Sequence, residues 1–318
     1  MSSTLWQKNL IPSHRMRREI LVFLSGFYRP FCPISKLPLE ILDLIITAYK
    51  DIIESHLSFP SERSRPHGFE CLNQYFFKSL FEFPKPLQRR FKKVSININM
   101  MPIVMGEDSS LPENVRRYSQ LIHSCLHHVP EEEGKVGYLT IQEDWVLPGQ
   151  CQRRPGLHIE SPAGEKRLGA GYLENIENLD GRWFRWGAGT LDPDLKPIGG
   201  IFMGSTVSDS CQIYNAKIVN PEKIVGKLGC VESLRVSLDA LCRSDRLERK
   251  VLKAREIVWF TDLTPHESLP VREKVFRQYF RLVTSDVSAW YSQHSTANPC
   301  GTVVPTETVT IINKNKFD

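Results

Sequence analysis

The sequence predicts an α+β fold in which a mainly helical N-terminal region packs on a β-barrel. Three observations carry this. Between Leu37 and Leu57, the residues Ile41, Leu42, Ile45, Ala48, Tyr49 and Ile52 recur at helical spacing, and Pro38 suits the first turn. Beyond residue 130 the pattern changes to short runs rich in β-branched and aromatic residues, as in Val136–Val146, Glu256–Phe260 and Phe276–Val283. Finally, His158 and Glu160 stand two apart, so a strand would turn both to one face, and His266 follows 108 residues after His158. That spacing suits a ligand pair early in a barrel and a third ligand near its end.

Taken in order, His14–Phe27 opens with three arginines and turns apolar, the pattern of an amphipathic helix, and Leu37–Leu57 is a longer one. The polar stretch Ser58–Pro66 is a connection. Phe69–Phe83, rich in Phe and Leu, reads as another packing helix. The basic run Gln88–Lys93 reads as a solvated helix end. Val94–Met100 alternates as an early strand does, and Glu113–His128 reads as a helix with His123 and His127 one turn apart. Those two histidines lack the glutamate of a His-Glu-x-x-His zinc site, because Ser124 follows His123, so a surface or core role is expected. The boundary falls here, with 1–130 the helical region and 131–318 the barrel. Within the barrel, Val136–Val146 runs into the Pro148-Gly149 turn. Arg153–Glu160 is the strand bearing the ligand pair, with Gly156 allowing close backbone approach. Arg182–Gly187 is an aromatic and cationic strand apt to line a pocket. Gly199–Ile218 reads as a strand pair, Val231–Leu252 as a charged, partly helical insertion, and Thr302–Ile312 as an edge strand.

Composition narrows the function classes. The 318 residues are 41% hydrophobic, enough for a sizeable core, and a formal charge of +5 is far from the concentrated basic face of a nucleic-acid binder. Eight scattered cysteines with no Cys-x-x-Cys pair argue against a zinc knuckle or a dense disulfide framework. No run reaches the roughly 18 apolar residues of a membrane span, and no leader-type segment opens the chain. A cytoplasmic protein acting on a small molecule, without nucleic-acid or membrane partners, is expected. Gly199-Gly200 is no nucleotide loop, since no Gly-x-Gly-x-x-Gly or Walker spacing surrounds it.

Two imidazoles and one carboxylate form the facial ligand set that suits non-haem Fe(II) and leaves positions open for other ligands. Glu256–Phe260 leads directly into Thr264-Pro265-His266, and Arg277 follows His266 by eleven residues, with Arg281 on the same face of its strand. In these residues, His158-x-Glu160, His266 and Arg277, the chain resembles the Fe(II)/2-oxoglutarate-dependent oxygenase superfamily over roughly Tyr138–Val287. The resemblance implies a double-stranded β-helix, or jelly-roll, barrel. It implies His158, Glu160 and His266 as iron ligands, Arg277 as the anchor for the far carboxylate of 2-oxoglutarate, and O2 as co-reactant. The outcome would be oxidation of a C–H bond of a small polar metabolite, an amino acid among the candidates. Arg281 is the candidate for a substrate carboxylate, with Arg153 and Arg154 behind it, and Thr264 or Ser268 are candidates for orienting His266. Glu160 stands where most members carry Asp. Two other readings stay open. One is a cupin-like metal enzyme with the same ligands and no 2-oxoglutarate. The other is an interaction protein, since Leu37–Leu42 resembles the start of an F-box, coupled to a silent barrel.

Overall fold

The computed structural model describes residues 57–58, 79–89, 92–160, 185–194, 196–218, 225–243 and 247–317. The expected helix His14–Phe27 lies outside them, as does Leu37–Leu57 apart from Leu57 itself, which with Ser58 pairs with Lys217–Ile218. Among the described residues the fold is mostly antiparallel sheet with few helices, and no helix is long and apolar enough to cross a membrane.

Two sheets organise it. The large, six-stranded sheet contains β1 (Ser79–Leu80), β2 (Ile96–Val104), β3 (Val136–Val146), β4 (Ile201–Ser205), β7 (Glu256–Phe260) and β9 (Val275–Val283), in the spatial order β1-β7-β4-β9-β3-β2. The small sheet contains β5 (Cys211–Tyr214), β6 (Arg249–Val251) and β8 (His266–Ser268), in the order β6-β5-β8. Bridges from His158 to His266 and to Cys230 extend the small sheet beyond β8. From β3 onward the chain crosses repeatedly between sheets: β3 large, His158 small, β4 large, β5 and β6 small, β7 large, β8 small, β9 large. No closed barrel forms among the described residues. A parallel pair, β10 (Ala289–Tyr291) with β11 (Thr310–Ile312), finishes the fold where an edge strand was expected.

Strand periodicity decides which residues reach which layer. In β9, Phe280 and Leu282 face outward, joining Leu139 and Ile141 of β3 in a core covered by α1 (Glu113–Arg116) and α2 (Ser119–Leu126). Tyr279 and Val283 face inward with Tyr138, Ile201, Met203, Val258 and Phe260. Each large apolar side chain so buried contributes roughly 1.5–3 kcal/mol. The single helix expected over Glu113–His128 is broken at Arg117–Tyr118, and Tyr118 stacks flat on Phe280 at 6.2 Å between ring centres. The outer face of the small sheet is covered by α3 (Arg235–Arg243), whose Leu238 packs with Leu157, Ile159 and Tyr214.

Three expectations are corrected. The end of Phe69–Phe83 is extended rather than helical, because Phe81 and Phe83 are partly buried while Leu80 and Glu82 are exposed, a period of two, and Pro84 follows. The run Gln88–Lys93 is not a helix end: Gln88–Arg89 and Lys92–Lys93 pair as antiparallel strands. The strands within Gly199–Ile218 do not pair, because the turn between Ser205 and Ser210, closed by their hydroxyls 3.1 Å apart, carries the chain from the large sheet to the small one.

Gly200 sits at φ +92°, where a Cβ would meet the Trp259 indole nitrogen at 2.2 Å. That nitrogen instead donates to the Gly199 carbonyl at 2.6 Å, and Trp259 is fully buried. Gly200→Ala should therefore destabilise the protein by about 3 kcal/mol or more, through overlap and a left-handed alanine together. Urea denaturation will show a lowered midpoint, and an unchanged midpoint would mean that Trp259 has room to move.

Candidate metal centre

Residues 157–160 lie between two neighbouring segments. On one side, His158 and His266 exchange both backbone hydrogen bonds, at 3.0 and 2.9 Å, and the Glu160 amide donates to the Asp262 carbonyl at 3.0 Å. On the other, Ile159 N–H donates to Gly229 and Val231 N–H to Leu157. Leu157 and Ile159 consequently point into the apolar layer under α3, and His158 and Glu160 line the cavity between the sheets. The same-face expectation for the pair is met.

The ligand atoms of His158, Glu160 and His266 all lie within 4.8 Å of one another. Each imidazole is oriented by a backbone carbonyl: His158 Nδ1 lies 2.7 Å from the Gly156 oxygen, and His266 Nδ1 2.9 Å from that of Thr264. With Nδ1 donating, Nε2 is the lone-pair nitrogen in both rings, the tautomer a metal ligand needs. The orienting group for His266 is thus the Thr264 carbonyl, while Ser268 lines the cavity. Burial, with His266 and Arg154 beside it, holds His158 well below the ordinary imidazole value and keeps it neutral. Burial alone would raise Glu160, but the Arg281 guanidinium and the His266 ring more than offset it and hold the carboxyl well below its usual range. A carboxylate facing two imidazoles whose Nδ1 atoms are engaged by backbone carbonyls is a donor set suited to a divalent cation.

The cavity opens to solvent. Arg277 and Arg281 both line it from β9. Arg281 bonds Glu160 Oε1 and donates to the Thr140 hydroxyl at 3.2 Å, while its Nε has no partner among the described residues. Arg277 is 1% exposed, and its Nε and Nη1 have no hydrogen-bond partner among the described residues. Arg153 and Arg154 also reach the cavity, from the segment before His158.

Several wall residues were not singled out from the sequence. Tyr279 lies between the two arginines on their own face, so strand parity alone would have found it. Asn99 enters at a bulge in β2, where Met100 adopts φ +48°. His294, Lys316 and Phe317 arrive from the segments around β10 and β11, and nothing in their local sequence announces them. Trp186, expected in a pocket-lining strand, lines the cavity, and its strand-like pairing among the described residues is an isolated bridge to Val287 between β9 and β10. The His123 and His127 pair stays apart from this centre: His123 bonds Asp108 at the surface and His127 rests edge-on against His128. Comparison with protein-family models, curated proteins and solved structures found no match.

Asp262 braces the centre without touching it. Its carboxylate accepts the Trp186 amide at 3.1 Å, and its own carbonyl accepts the Glu160 amide. Burial pushes its carboxyl up to about 7. A carboxyl raised in the fold favours the protonated form, so its ionisation removes stability as pH climbs from the unfolded value near 4 through about 7. Asp262→Asn keeps an acceptor for Trp186 and should abolish that loss, which amounts to up to about 1.4 kcal/mol per pH unit. Denaturation of both proteins between pH 4 and 8 will show the variant gaining on the wild type as pH rises. Parallel curves would mean that Asp262 ionises freely.

Proposed function

We propose that this chain is an Fe(II)/2-oxoglutarate-dependent oxygenase that oxidises a C–H bond of a small polar molecule. The observation that carries the reading is Arg277: a buried guanidinium with two nitrogens unpartnered among the described residues, facing the same cavity as a two-histidine, one-carboxylate group. A buried cation without a counter-ion costs several kcal/mol, and a bound carboxylate would recover it through a bidentate pair. The strand crossing between two antiparallel sheets supports a jelly-roll reading, an architecture that leaves room for a ligand between its sheets.

In this reading His158, Glu160 and His266 hold the iron by Nε2, carboxylate and Nε2. Iron bound there with 2-oxoglutarate and O2 supplies the oxidising chemistry. The protein's own residues do the rest. Arg277 would hold the far carboxylate of 2-oxoglutarate through its guanidinium fork. Arg281 acts as a positioning residue, holding Glu160 between itself and the metal. Trp186, Met203 and Tyr279 form walls that keep water from the reacting atoms.

Anaerobic titration with Fe(II) and 2-oxoglutarate should give the weak visible charge-transfer band of the chelate. His158→Ala and His266→Ala should abolish it. Arg277→Ala should require at least about tenfold more 2-oxoglutarate, the loss of one charge-assisted pair. Metal binding without a band would favour the same ligands working without 2-oxoglutarate, and absence of both would overturn the oxygenase reading. Arg281→Ala, which frees Glu160, should weaken metal affinity by about tenfold or more, as loss of an outer-shell partner does. Titration with Co(II), read by its absorption, will measure that shift, and unchanged affinity would remove Arg281 from the positioning role.

A further inference from the structure

The cavity holds far more positive charge than the proposed iron and cosubstrate account for. Arg153, Arg154, Arg277, Arg281 and Lys316 all line it, against Glu160 as its one lining carboxylate among the described residues. Glu160 is committed to Arg281, and the oxygenase reading commits Arg277 to 2-oxoglutarate. Three cations are left, and none bonds a carboxylate among the described residues. Arg153 donates to the neutral Gln142 side-chain oxygen at 3.2 Å and lies 5.1 Å from the centre of the Tyr279 ring. Arg154 donates to the Leu228 carbonyl at 2.6 Å. Lys316 is 6% exposed, with Nζ 3.9 Å from the centre of the Trp186 ring.

These three belong together. All three line the one cavity, and Lys316 shares the Trp186 ring with Arg281. Burial pulls Lys316 down to about 7, with the Glu160 carboxylate opposing and the charges of Arg154, Arg281 and Arg153 adding to the fall. Aromatic faces and carbonyls soften the repulsion without neutralising it, since a cation–π contact contributes about 0.5–2 kcal/mol. A divalent metal at the nearby ligands would add more positive charge. Among the described residues no further carboxylate lines the cavity, and a bound anion would supply the balancing charge.

We propose that the substrate of this site is a small organic dianion, with its anionic group held by the Lys316 ammonium and the Arg153 and Arg154 guanidinium groups. This rests on the oxygenase reading for the fate of Arg277, but the cation cluster itself does not depend on it. The shared chemistry is a compact group bearing two negative charges, either a phosphate monoester or a pair of neighbouring carboxylates. Two guanidinium forks and one ammonium supply more donors than a single carboxylate accepts, and they disfavour cationic molecules of the same size. Asn99 and Ser268 also line the cavity, with the Asn99 amide donating to the His294 carbonyl and the Ser268 hydroxyl to that of Ser210.

The test is binding of a defined panel to the full chain, loaded anaerobically with Mn(II) and saturating 2-oxoglutarate. Calorimetry would be run with glycerol 3-phosphate and other small phosphate monoesters in one arm, C3–C4 dicarboxylates in a second, and the matching alcohols and amides in a third. At least one dianion should bind about tenfold or more tightly than its neutral counterpart. Lys316→Gln should remove most of that preference, Lys316→Arg should restore part of it, and the Fe(II)/2-oxoglutarate band should still form in both variants. The arm that responds identifies phosphate or dicarboxylate. Neutral analogues binding as well as dianions, or a preference that survives Lys316→Gln, would overturn the proposal. If wild type gives no chelate band, the oxygenase reading fails. The phosphate and dicarboxylate arms are then read on metal-free protein by the same Lys316→Gln criterion.

Discussion

The reciprocal backbone hydrogen bonds between His158 and His266 are what the rest of the centre depends on. They join two residues far apart in sequence in one antiparallel pair and set their ring centres 4.6 Å apart. From that pair, strand alternation places Glu160 on the same wall, and the Asp262 carbonyl holds its backbone there. Each ring is then turned by a carbonyl two residues earlier in its own chain, Gly156 or Thr264. The donor set therefore owes its geometry mainly to backbone, which is less easily displaced than side-chain props.

Strand β9 is the second determinant. It lies between β3 and β4, buried on both faces, and still carries Arg277 and Arg281. Charges in such a position are tolerated only with counter-charge or hydrogen bonds. Glu160 and Thr140 supply these for Arg281, while Arg277 lacks a full set. The electrostatic demand of one strand thus determines what kind of molecule the cavity favours.

Much of the centre was legible in the sequence because period two is a local property. It put His158 with Glu160 and Arg277 with Arg281, and the runs Val136–Val146 and Glu256–Phe260 are strands with those bounds. What was not legible depends on distant contacts. The bulge at Asn99–Met100 is tied in by the Trp290 indole, which donates to the Met100 carbonyl at 2.7 Å. The helix break at Tyr118 follows a buried Glu143 that both Arg117 and Tyr118 approach. Lys316 reaches the cavity because β11 pairs in parallel with β10, and a parallel partner carries no turn signal beside it. Asp262 looks like an ordinary turn acid until its carboxyl is seen to cap Trp186.

The arginines of β9 also act on how the chain finds its register. A slip of one residue along β3 and β4 would turn both guanidinium groups out of the cavity and into the apolar layer shared with Tyr118, Leu121 and Ile122. An all-apolar strand would pair nearly as well in either alignment. Here a slip by any odd number of residues strands two charges in hydrocarbon, so the residues suited to hold ligands also reject those alignments before the fold is complete.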